Sequence, residues 1–137
     1  MTFRQKLLAY SAVATAIAGL SQGVSAEMVK LDYHDVPLSD PIASKMWKDE
    51  IPEASNLGQY SPWAVIAKVN IPGKGEVYVG QLWSGSHCGA HDCPVKVMQN
   101  DEILLNVMGC DDTDEHSLNA SGSTLFLCDM AYPTNVR

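Results

Sequence analysis

The sequence predicts an α+β domain: an antiparallel sheet of about five strands, a helix packed on one face, and a protruding disulfide-closed loop. Three observations carry this. Apolar residues recur at helical spacing just after Ser39-Asp40-Pro41. From Trp63 onward the chain becomes a series of short β-branched runs separated by turn residues. Finally, Cys88 and Cys93 enclose four residues between two of those runs.

Residues Glu27 to Leu38 are mixed in character and read as irregular chain or a short edge strand. Asp40 then offers a side-chain oxygen to cap a helix, and Pro41 occupies its first position, where a missing N–H costs nothing. Ile42, Met46 and Trp47 fall on one face, and Ile51-Pro52 is expected to end the helix after about ten residues. Ala64–Val69, Glu76–Trp83, Val95–Gln99, Ile103–Met108 and Thr124–Cys128 read as strands. Pro72-Gly73-Lys74-Gly75, the cysteine loop, Asn100-Asp101 and the polar run Asp111–Gly122 read as the turns between them. Trp47, Trp63 and Trp83 sit in apolar runs and are assigned mainly to the core.

The first residues carry an export signature. Arg4 and Lys6 precede the apolar run Leu7–Leu20, and Val24-Ser25-Ala26 has the small-x-small form that signal peptidase accepts. The run falls short of the ~20 residues needed to span a bilayer. Residues 1–26 are therefore read as a secretory signal and 27–137 as a single domain of about 111 residues, an ordinary size for one core.

All 16 carboxylates lie beyond Ala26, against seven remaining Lys and Arg residues, so the mature domain carries a net charge of −9. Such a surface disfavours nucleic acid and anionic membrane and suits a basic protein partner. Four cysteines in a short exported chain imply two disulfides, with three pairings open. Cys88–Cys93 with Cys110–Cys128 is the most economical, because each bond then closes a local segment. The second would staple the base of a hairpin spanning Asp111–Gly122.

The sharpest motif is Cys88-Gly89-Ala90-His91-Asp92-Cys93. A closed ring of this size would hold His91 and Asp92 out with little freedom left to lose on docking. Gly89 relaxes the local backbone so the ring can close, and His91 can donate to carboxylates from either ring nitrogen. The same spacing also fits a stapled hairpin turn with incidental polar residues, and spacing alone does not separate the two.

The motif resembles the C-K-P-H-D-C loop of the Ivy-type inhibitors of vertebrate lysozyme. Pro62-Trp63-Ala64-Val65, Glu76-Val77-Tyr78-Val79 with Leu82, and Val95-Lys96-Val97-Met98 resemble the segments flanking that loop, so the likeness spans about half of the mature domain. The resemblance implies a periplasmic inhibitor, not an enzyme and without a cofactor, that binds C-type lysozyme and forms a homodimer. It implies an antiparallel sheet with helices on one side and a loop that plugs the substrate cleft. The loop histidine, here His91, would sit against the two catalytic carboxylates. One of these must be protonated and one ionised, so an imidazole can donate to the ionised group. Gly89-Ala90 replaces the family's Lys-Pro, losing a charge and some stiffness, and Cys110 and Cys128 are an addition to the pattern.

Other functions compete. An immunity protein against a cell-wall-degrading toxin would use the same acidic surface. A metal-binding protein could draw on His87, Cys88, His91 and Cys93 with His34 or His116, but oxidation competes with thiolate ligation outside the cytosol. Ser84-Gly85-Ser86-His87 sets hydroxyls beside an imidazole, yet on a strand adjacent side chains face opposite ways. Asp111, Asp112, Asp114 and Glu115 lack the spacing of a calcium loop and read as a solvated turn.

Overall fold

The computed structural model of the protein describes residues 27–54 and 61–137; the signal-peptide assignment falls outside them. Two antiparallel sheets make up the domain. Strands β2 (His34–Pro37), β3 (Trp63–Ile71), β4 (Gly75–Trp83), β5 (Asp92–Gln99) and β6 (Glu102–Cys110) form a five-stranded sheet in chain order. Strands β1 (Met28–Lys30), β7 (His116–Asn119), β8 (Thr124–Leu127) and β9 (Met130–Pro133) form a four-stranded sheet in the order β1-β7-β8-β9. No helix among the described residues is long and apolar enough to cross a membrane.

This mostly β architecture corrects the expected α+β fold. Among the described residues, α-helix is confined to α1 (Pro41–Met46) and the single turn α2 (Ile51–Ala54), too little to form a layer. What covers the five-stranded sheet is mainly the second sheet. Alternation along the strands places Ala67, Val69, Ile71, Val77, Val79, Val95 and Val97 on one face, where they pack with Leu118, Leu125 and Leu127. Ala64, Ile66, Leu82 and Met98 point the other way, onto Ala43, Met46 and Trp47.

The five runs read from the sequence all form strands, but the last, Thr124–Cys128, corresponds to β8 of the second sheet and does not join the other four. The Asn100-Asp101 turn behaves as its residues dictate: both adopt positive φ, 51° and 62°, as a two-residue hairpin turn requires. The helix begins as expected, with Asp40 Oδ2 accepting from Ile42 and Ala43 N–H at 2.9 and 3.1 Å. It ends earlier than predicted, at Met46, and Ile51-Pro52 opens α2 instead of terminating α1. Proline near the start of a helix loses no bond, so the same dipeptide that stops one helix can begin another.

The segment Asp111–Gly122 is not a simple turn. It contains one turn of 3-10 helix (Thr113–Glu115) and then β7, an interior strand of the second sheet. His116 and Leu118 point inward while Ser117 and Asn119 are half-buried. An inward histidine disguises the alternation on which a strand assignment depends.

Cys110 ends β6 and Cys128 follows β8, so their disulfide (Cα–Cα 6.3 Å) joins one sheet to the other. It is a cross-link between layers rather than the expected hairpin staple. The sheets come close here: a β-carbon on Gly109 would lie 2.7 Å from Leu127 Cδ1 and 2.8 Å from Val95 Cγ2. Glycine is the side chain that fits.

Candidate functional site

The loop of interest connects β4 to β5. Leaving Trp83, the chain turns at once: the backbone N–H groups of His87 and Cys88 both donate to the Ser84 carbonyl, at 3.1 and 2.9 Å. The Cys88–Cys93 disulfide (Cα–Cα 4.2 Å) closes the ring as the sequence suggested. Inside it, Gly89 N–H donates to the Asp92 carbonyl at 2.8 Å. Outside it, Asp111 N–H donates to the His91 carbonyl at 2.9 Å, anchoring the loop to the chain that leaves β6. Backbone position at His91 is thus fixed from two directions.

Beneath the loop, Gln81 is fully buried and donates from Nε2 to the carbonyls of Gly109 and Cys110, at 3.2 and 3.0 Å. This bond spans β5 and ties the loop's supporting strand to β6. Cys93 is buried, Asp92 half-buried, and Gly89, Ala90 and His91 are exposed. A braced base therefore presents an imidazole to solvent.

Gly89 has a second role beyond ring closure. A β-carbon there would overlap the Asp92 carboxylate, which folds back over the glycine. Any larger residue at this position, such as the lysine of the resembling loops, would displace that carboxylate. Glycine at position 89 and the posture of Asp92 are thus one feature.

Ser84, Ser86 and His87 lie in a turn, not on a strand, which corrects the geometry assumed for them. Ser86 Oγ and Ser84 Oγ reach His87 Nδ1 at 2.9 and 3.2 Å and each other at 2.9 Å. Two hydroxyls sharing one ring nitrogen is the self-bonded chemistry of a turn. The metal alternative fares differently: all four cysteines are in disulfides, so none is available as a thiolate, and among the described residues no three His, Cys, Asp or Glu side chains converge.

Other features beside the loop were not foreseen. Ala90, His91 and Asp92 form one wall of a shallow depression whose remaining walls include Met108 of β6 and Asp129, Met130 and Tyr132 around β9. Met108 and Met130 are 44% and 57% exposed. Their sequence signal was the outward phase of each strand, legible for Met108 but not for Met130, whose strand was not recognised. Trp63 and Trp83 stack with ring centres 5.7 Å apart and planes 7° from parallel, and Trp63 is 41% exposed rather than core.

Behind the inter-sheet disulfide lies a buried polar chain. His116 Nε2 is 2.8 Å from the Cys110 carbonyl, to which it can only donate, so Nδ1 accepts the Tyr33 hydroxyl at 2.9 Å. Burial lowers the His116 pKa below its usual value, opposed in part by the Cys110 carbonyl and the charge of Asp112. Burial likewise raises that of Tyr33. Of the histidines considered from sequence, His116 is a core residue and His91 is an exposed one.

No protein-family model matches the chain, and neither a curated protein nor a solved structure shows significant similarity to it.

Proposed function

We propose that this protein is an exported, periplasmic inhibitor of C-type lysozyme that inserts the Cys88–Cys93 loop into the enzyme's catalytic cleft. The observation that carries the proposal is the loop itself: an exposed His91 whose backbone is held by a disulfide, the Gly89–Asp92 bond and the Asp111–His91 bond. A segment already held in place loses little conformational entropy on docking. Its imidazole is suited to donate to the ionised member of a glycosidase's carboxyl pair, more strongly if protonated. The two disulfides fit an oxidising compartment. The acidic balance of the chain favours encounter with a strongly basic enzyme.

The test is titration of the signal-free protein against hen egg-white lysozyme in a cell-wall clearing assay. Inhibition is expected, and His91→Ala should weaken binding by about 2 kcal/mol or more, as for a central interface anchor. An inhibition constant unchanged in that variant would remove the mechanism.

A further inference from the structure

A six-residue loop is too small to account for a stable complex, since specific interfaces cover roughly 800 Å² on each partner. The inhibitor must therefore engage its partner through a surface next to the loop, and the structure offers one. The depression that has His91 and Asp92 as one wall has Met108 and Met130 on the others, and both methionines are substantially exposed. Among the described residues, Asp92 and Asp129 are its carboxylates and no lysine or arginine lines it.

We infer that Met108 and Met130, framed by Asp92 and Asp129, form a second docking element that grips the same basic lysozyme beside its cleft while the loop enters it. The inference rests on the inhibitor function proposed above. Methionine suits such a ledge because its unbranched, polarisable side chain adapts to an irregular surface. The paired carboxylates match the charge of the partner. Apolar contact at the centre with charge at the rim is the ordinary anatomy of a protein interface.

The placement also gives the Cys110–Cys128 bond a purpose beyond stability. Met108 lies two residues before Cys110, and Met130 two residues after Cys128, so the disulfide fixes the two methionines relative to each other. The bond from Asp111 N–H to the His91 carbonyl fixes the loop relative to both. Loop and ledge thus form one rigid body, each half connected to the other within a residue of Cys110.

The test uses hen egg-white lysozyme as probe and calorimetric titration as readout, on the wild type, His91→Ala, Asp129→Lys and the double variant Met108→Ser with Met130→Ser. The methionines are exposed, and an unchanged melting temperature checks that the double variant folds. The expected result is a Kd raised about tenfold in the double variant with its salt dependence retained. Asp129→Lys should weaken binding and flatten the salt dependence, because it removes an attraction that ions screen. If the double variant binds within twofold of wild type while His91→Ala is impaired, the ledge is refuted and the loop mechanism stands. If wild type does not bind lysozyme at all, both fall together.

Discussion

Lys96, on the face of β5 that meets α1, places its ammonium 2.7 Å from Glu50 Oε1 and 3.1 Å from the Met46 carbonyl, with the Trp47 ring centre 4.8 Å away. The lysine side chain is only 5% exposed. A cation buried this deeply is stable only while its partners remain, and here they come from the end of α1 and the turn that follows it. The pair thus adds a charged tie between helix and sheet beside the apolar contacts of Ala43, Met46 and Trp47.

Breaking this pair from one side should be costly. Glu50→Ala leaves a buried ammonium with one carbonyl partner and is expected to destabilise the domain by about 3 kcal/mol. Replacing both residues, Lys96→Met with Glu50→Leu, should cost clearly less than the sum of the single changes. Urea unfolding of the four proteins checks this; additive losses would mean that the two side chains do not act as a unit.

What the sequence disclosed follows from how local each signal is. The five β-branched runs, the Asp40 cap and the Cys88–Cys93 ring depend on neighbours within a few residues, and each formed as expected. Three features did not: β7 as a strand, β9 as a strand, and the assembly of β1, β7, β8 and β9 into a second sheet, which turns the expected Cys110–Cys128 pairing into a bridge between layers. Strands β1, β7 and β9 are three or four residues long, and their alternation is interrupted by an inward His116 and a terminal Pro133. Such segments become strands only because they pair with one another, and pairing is a tertiary property. At the site, the exposure of His91 followed from the ring. The Met108–Met130 ledge did not, since two residues 22 positions apart become neighbours only once the sheets pack.

The inter-sheet disulfide makes a second prediction. Cys110 and Cys128 enclose 19 residues counting both ends, and the chain-entropy treatment assigns such a loop about 3 kcal/mol. Cys110→Ser with Cys128→Ser should lower stability by roughly that amount. Cys88→Ser with Cys93→Ser should cost less, about 2 kcal/mol, because its ring is shorter. Melting curves of the two double variants rank the bonds, and the opposite order would show that the hexapeptide ring, not the bridge between sheets, dominates cohesion.

The last prediction concerns acid. His116 is buried and held neutral, donating from Nε2 to the Cys110 carbonyl and accepting the Tyr33 hydroxyl at Nδ1. Burial depresses its folded-state pKa below the 6.5 of the unfolded chain. Between those two values the unfolded chain binds a proton that the folded protein refuses, so unfolding gains from acidification. The stability this histidine contributes is complete above pH 6.5 and is lost as pH falls from there toward the folded-state value, by about 1.4 kcal/mol for each unit of depression. Below that value the loss is constant. His116→Gln, which cannot titrate, should therefore show a shallower fall in urea midpoint between pH 7.5 and pH 5 than the wild type. Parallel slopes in the two proteins would mean that the acid sensitivity of the domain arises from its surface carboxylates and not from this buried ring.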